Sequence, residues 1–394
     1  MKFSRFIAPC LVIIGMAFPE INLLSQSKLP FSDASDYSFK LELKNVIKKG
    51  SKWLLEQQDP AGFWSDSDHP AITGFALFAL LNDPALENIV EKRKGQIDKG
   101  IAFLLSKIQP DGGVYTPGQG LANYNTSLAI MAMTAVKDPS LSEYIKSARR
   151  FIVRGQFDFG EKGVVDTNLD GGVGYGNSYP HSDMSNTLLA LEALRYSEAY
   201  RGEAVKPGVN DLNWEAAIEF ISKCQNNSET NKEPWVSDEK GNKGGFVYFP
   251  GNTKSDKVKL SDGRVALRSY GSISYAGLLS LVYAKLNKDD KRVLAVQKWL
   301  SENYTLDENP GMGQQGLFYY FHTMSKALTA SETHSFKDAQ GKEVHWKKEL
   351  ALKLMDLQKQ DGSWINPTSR WWENDPVLVT SYSLVAIELI HNKF

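Results

Sequence analysis

The chain has 394 residues, with 45 Lys and Arg against 46 Asp and Glu and a formal net charge of −1. That balance leaves no basic footprint for nucleic acid. Apolar residues make up 42% and charged residues 23%, an ordinary globular composition that excludes a disordered or fibrous chain.

The first segment reads as an export signal. Lys2 and Arg5 supply a positive start, and an apolar stretch from Phe6 to Phe18 follows, too short for a comfortable membrane span. Residues 1–27 are expected to be a signal peptide cleaved near Ser25 to Ser27, or alternatively an uncleaved N-terminal anchor close to the membrane. The mature protein then begins around Lys28 and is exported, periplasmic or secreted. Cys10 falls inside the apolar stretch, so Cys224 stands alone in the mature chain and no internal disulfide is expected. Cys224 is read as a small buried hydrophobe.

From residue 28 onward the chain is expected to form one domain of about six repeats. Each repeat starts with an aromatic-led or apolar amphipathic segment that usually ends in Gln: Trp53–Gln58, Phe103–Gln109, Phe151–Gln156, Phe220–Gln225, Trp299–Asn303 and Leu354–Gln358. A Gly-aromatic turn follows, as in Gly62-Phe63-Trp64, Gly113-Val114-Tyr115, Gly245-Phe246 and Gly362-Ser363-Trp364. Asp-Gly steps such as Asp111-Gly112 and Asp361-Gly362 are strong turn signals. An Ala-rich apolar helix completes the unit. It carries a hydroxyl followed by small residues three and six positions on, for example Thr73, Ala76 and Ala79, or Ser274, Gly277 and Ser280. Small residues three apart share one helix face and let helices approach closely. The fifth unit breaks the rule, because Thr323 is followed by Lys326. Insertions fall at Gly155 to Tyr179 and Asn226 to Tyr270, and a hairpin is expected at Gly244 to Gly251. Repeats of this kind cannot bury their faces alone and must stack.

These residues resemble the repeats of the squalene/terpene cyclases and of protein prenyltransferase β subunits. The pieces from Gln57 to Trp64 and from Gln358 to Trp364 are similar to the Gln-Trp motif of the cyclases. The resemblance spans Leu41 to Ile390. It implies an all-α (α/α)6 toroid: a ring of inner helices inside a ring of outer ones, with irregular Gly-rich loops or short hairpins. It also implies an apolar, isoprenoid-like molecule or lipid as partner in the central cavity, and an isomerase, lyase or transferase activity if the protein is catalytic at all.

The motifs that carry that chemistry are missing. The Asp-x-Asp-Asp acid of proton-initiated cyclases is absent, and the nearest string, Asp66-Ser67-Asp68-His69, reads better as a capping turn. The Asp, Cys and His set of a zinc prenyltransferase is not available. Asp289-Asp290 reads as a loop rather than a magnesium motif, and no thioester motif occurs. No cofactor or resident metal is expected.

What remains is a set of polar residues where inner helices begin, at the expected cavity mouth. His181, Asp183, His322 and Asp375 are the candidate catalytic groups. Tyr179, Asn186, Tyr270, Tyr275, Tyr320, Trp371 and Glu373 are the candidate binding residues. Each acid also suits a helix cap, and each His a core position. Gathered on one rim, two carboxylates and two imidazoles suit acid–base work or a metal, and the sequence does not choose. The Gly-rich connector from Tyr304 to Gly316 suits a close approach to a ligand or a turn over the barrel end. Two further readings stand beside the cyclase-like enzyme. One is a non-catalytic toroid that binds a lipid or protein. The other is a glycan-active protein with Trp371 and Trp372 exposed beside Glu373 and Asp375.

Overall fold

The computed structural model describes residues 33–84, 90–176, 181–202 and 207–393. The expected export segment, Cys10 and Tyr179 lie outside the described residues. Among the described residues, twelve α-helices alternate between two rings. The outer helices are α1 (Asp33–Glu56), α3 (Val90–Ser106), α5 (Ser142–Arg154), α7 (Trp214–Lys223), α9 (Lys291–Glu302) and α11 (Trp346–Leu357). The inner helices are α2 (Pro70–Asn82), α4 (Ala122–Val136), α6 (Met184–Tyr196), α8 (Gly271–Tyr283), α10 (Leu317–Ala330) and α12 (Pro376–His391). Each inner helix packs on the next, and α12 packs back on α2. The ring is closed, as the repeat implied. No described helix is long and apolar enough to cross a membrane.

The two helix classes follow from their residues. In α2 every residue from Pro70 to Leu80 is buried, as expected of a helix apolar all round. In α5, Ile145, Ala148 and Ile152 face inward while Glu143 and Arg154 sit at its ends. The small residues serve close approach: a Cβ on Gly74 would stand 3.0 Å from the backbone of Leu128 in α4.

The repeat signature is a hydrogen-bond device. The inner-helix hydroxyls of Thr73, Thr126, Thr187, Ser274 and Thr380 accept from the turn N–H groups of Trp64, Val114, Val173, Phe246 and Trp364, at 2.9–3.0 Å. The hydroxyl thus satisfies a buried donor that no helix or sheet pairs. In the fifth unit Thr323 bonds back to Tyr319 of its own helix instead. Most of the Gln residues fasten the same turn from outside. Gln58 bonds Gly62 O and Gln96 O, Gln156 bonds Gly171 O and Asn213 O, and Gln225 bonds Gly244 O and Arg292 O. Each of these three ties its own turn to the next outer helix. Trp64 and Trp364, fully buried, donate their indole N–H to Leu54 O and Leu354 O at 2.7 Å. Burying one such ring contributes on the order of 4 kcal/mol of transfer free energy.

Two loops carry the few described strands, one of them inside the second insertion. Strands β1 (Lys257–Lys259) and β2 (Val265–Leu267) pair antiparallel, and β3 (Phe336–Lys337) pairs with β4 (Glu343–Val344). The first hairpin lies later in its insertion than the sequence suggested. Val258 and Val265 flank an Asp262-Gly263 turn, the stronger hairpin chemistry. At Gly244 to Gly251 only a tight turn forms, with Phe249 bridged to Asn252. Cys224 is buried and free.

Candidate functional site

A single chamber is lined by residues from all six inner helices, which places it on the ring axis. Phe75, Leu128, Met131, Leu188 and Leu279 form its apolar wall. Tyr124, Tyr319 and Tyr382 also line it, and the Tyr124 and Tyr382 hydroxyls meet at 3.4 Å. The void is about 30 Å³, room for a water molecule or two.

The far side of the chamber is polar. Lys326 of α10 pairs with Glu192 of α6 across the intervening α8. Both are buried, and the Tyr283 hydroxyl also donates to Glu192 at 3.4 Å. His322 lies one turn before Lys326, with its ring edge-on to Phe75 and tilted against Tyr382. Burial, and then the nearby Lys326 charge, holds its imidazole well below the usual range, so it is neutral. Its Nδ1 has no hydrogen-bond partner.

A second cluster sits at the mouth. Asp183, fully buried, caps α6 by accepting from Asn186 N at 3.0 Å, and its other oxygen accepts from Asn186 Nδ2 at 2.8 Å. Burial pushes its carboxyl up to about 6, and the bonds from Asn186 only partly oppose that. Tyr248 donates to the Tyr175 hydroxyl at 3.3 Å, and the Lys254 ammonium stands over the Tyr248 ring at 4.3 Å. Tyr270 is buried beside them and feels the charge of Asp183.

His181 borders this cluster: it stacks on Phe249 at 4.5 Å, which packs on Tyr248 at 5.6 Å, and it acts electrostatically on the Asp183 carboxyl. The remaining expected site residues join neither cluster. Tyr275 and Tyr320 pack on each other at 5.5 Å, and the Tyr320 hydroxyl donates to Thr305 O. Glu373 is fully buried and accepts from Tyr319 N at 2.7 Å and Asn366 Nδ2 at 2.7 Å. It is a cap lent to α10, whose own N-cap position is Gly316. Asn125 does the same for Ala71 in α2, and Asn309 for Ser272 in α8. The Gly-rich connector therefore serves as a cap through Asn309. Asp375 caps its own α12 through Val377 N and accepts from Ser65. Asp66 pairs with His69 at 2.9 Å in the turn before α2. Trp371 and Trp372 are 38% and 43% exposed, the latter edge-on to His69. Among the described residues no three His, Cys, Asp or Glu side chains converge to hold a metal.

Sequence reasoning missed Glu192, the chamber tyrosines Tyr124, Tyr319 and Tyr382, and Tyr175 and Tyr248. Lys326 had announced itself by breaking the small-residue rule. Glu192 offered a weaker signal, a lone acid in an otherwise apolar helix.

No family model matches the chain, and no curated protein matches it in sequence. Solved structures do match. The type II terpene cyclase MstE from Scytonema, in a variant bound to merosterolic acid A, is 11% identical over 91% of this chain and 99% of that one, with a TM-score of 0.53. The same enzyme without ligand gives 12% identity, 89% and 98% coverage, and a TM-score of 0.52. The chain shares the α/α-toroid fold of these structures. A family 76 glycoside hydrolase from a bovine Bacteroides thetaiotaomicron strain is 12% identical over 88% of this chain and 78% of that one, with a TM-score of 0.52. Two chemistries on one toroid show that the fold does not choose between them.

Proposed function

We propose that this toroid binds an apolar, isoprenoid-like molecule in its axial chamber. The observation that carries the reading is the convergence of all six inner helices on one apolar void. Pockets on a central axis, mostly apolar with a few convergent polar groups, are the usual form of a small-molecule site. The likeness to MstE adds support, since one of its structures holds a geranylgeranyl dihydroxybenzoate substrate. The described void is small, so the walls part when the molecule enters. The Tyr124–Tyr382 hydroxyl contact is long for an O–H···O bond, so it parts at little cost.

Binding is supported better than proton-initiated cyclisation. Protonating an alkene takes an acid stronger than an ordinary carboxyl, and Asp183 at about 6 is weaker. Glu192, the acid that lines the chamber, is matched by Lys326. A glycan site at Trp371 and Trp372 is supported less, because Glu373 is turned inward to cap α10. The positive start and apolar stretch before residue 28 support an exported protein.

Hydrogen exchange with and without geranylgeraniol tests the reading. Binding in the chamber slows exchange in α4, α10 and α12 around Tyr124, Tyr319 and Tyr382. Protection confined to the surface around Trp371, or none, contradicts it.

A further inference from the structure

The polar side of the chamber holds more donors and acceptors than an apolar ligand uses. Lys326 stands where the other inner helices place Ala76, Ala129, Ala190, Gly277 and Ser383. It and Glu192 are 8% and 5% exposed and pair with each other. An ammonium has three N–H donors, and the bond to Glu192 uses one. His322, also facing the void, keeps a buried Nδ1 with no partner. Buried polar groups of this kind are normally satisfied, so an unpaired one calls for a partner. An ion pair in an apolar cavity also adds little stability compared with apolar residues of the same size.

We infer that the molecule taken up is an apolar alcohol, with its hydroxyl seated between Lys326 and His322. The inference rests on the apolar-ligand reading above and names the class of ligand. A hydroxyl accepts from the Lys326 ammonium and donates to the His322 Nδ1, so it satisfies both groups at once. A ketone accepts from Lys326 and leaves Nδ1 unpaired. A carboxylate is repelled by Glu192, and an amine by Lys326. The hydroxyl takes the place that a water would fill on the polar side of the chamber.

The test is a matched pair of probes, geraniol and the hydrocarbon that differs only in lacking its hydroxyl. Binding to the intact protein is followed by the quenching of its aromatic fluorescence. The alcohol binds roughly tenfold tighter or better, the scale of one hydrogen bond to a charged group. In Lys326→Met the preference collapses toward unity while the hydrocarbon still binds. Because that change leaves Glu192 buried and unpaired, the double variant Lys326→Met with Glu192→Gln repeats the measurement in a balanced chamber. Equal binding of both probes to the wild type overturns the inference and leaves the apolar-ligand reading standing, as does a preference that survives in both variants. Failure of both probes to bind the wild type overturns both, and binding of the hydrocarbon but not the alcohol overturns the inference.

Discussion

Gln358, at the end of the last outer helix, donates from Nε2 to the carbonyl of Val46 in the first outer helix at 3.0 Å. The same amide group also holds Gly362 O at 3.0 Å, inside the last Gly-aromatic turn. One side chain therefore ties the final repeat to the first across the closing seam. Gln58, Gln156 and Gln225 make the corresponding bonds between successive repeats, so closure repeats an ordinary joint. Gln358→Ala removes both bonds and leaves two carbonyls without that donor. It is expected to destabilise the protein by about 1–3 kcal/mol. Denaturant melts of the variant and the wild type check this, with Gln57→Ala, at an exposed position whose bond stays within its own helix, expected to change little.

The turn glycines carry a steric prediction. Gly62 has φ of 99°, and a Cβ there would stand 2.4 Å from the carbonyl oxygen of Lys99 in the next outer helix. Gly62→Ala therefore combines an unfavourable backbone region with a clash against backbone that cannot turn aside. The loss is expected to exceed about 1 kcal/mol. Gly95→Ala is the control, because a Cβ there meets nothing within 4 Å, and a helical Ala is about 1 kcal/mol more favourable than Gly.

Asp183 predicts a pH dependence. Its folded carboxyl titrates near 6, above the roughly 3.9 of an exposed Asp. A group raised on folding binds its proton more tightly in the native state. Its stabilising contribution is complete below the unfolded value and is lost as pH rises through about 6. Asp183→Asn keeps an N-capping oxygen. The partnerless Oδ1 of Asn186 can then accept from the new amide after a flip. The variant is expected to gain on the order of 3 kcal/mol over wild type at pH 8, from about two pKa units, and to gain little at pH 4. Melting curves across that range measure it. A variant that is less stable at pH 8 contradicts the assignment.

Glu388 of α12 makes the same argument at the other end of the ring. It is buried, neither carboxylate oxygen has a hydrogen-bond partner, and burial followed by the charge of Asp83 holds its acid well above the usual range. Again the contribution is lost as pH rises. Glu388→Met fills similar space without the polar cost and is expected to raise stability at neutral pH by about 1–3 kcal/mol. The benefit shrinks as pH falls from neutral toward about 4 and levels off below it, where the unfolded carboxyl is also protonated.

Most of the architecture was legible because each repeat mark has a local cause. The hydroxyls of Thr73 and Thr380 are needed by turn N–H groups 9 and 16 residues earlier, within the same repeat, and Asp-Gly steps such as Asp361-Gly362 build that turn. The site was less legible because its pairings are made by closure. Lys326 and Glu192 meet across α8, and nothing near either residue in the chain specifies the other. Glu373 looked like a free acid beside two tryptophans until α10 was seen to lack a side-chain cap of its own. Of the acids expected at the mouth, Asp183 and Asp375 cap their own helices and Glu373 caps α10, while Asn125 and Asn309 cap α2 and α8 in the same way.

The central claim is that the axial chamber holds an apolar molecule. Native mass spectrometry of the protein from residue 28 onward, after incubation with a total lipid extract, tests it most directly. The account predicts one retained apolar molecule per chain, lost when Met131→Trp fills the chamber wall and kept when the exposed Trp371 is changed to Ala. A bare protein, or a molecule retained by Met131→Trp and lost with Trp371→Ala, would contradict it.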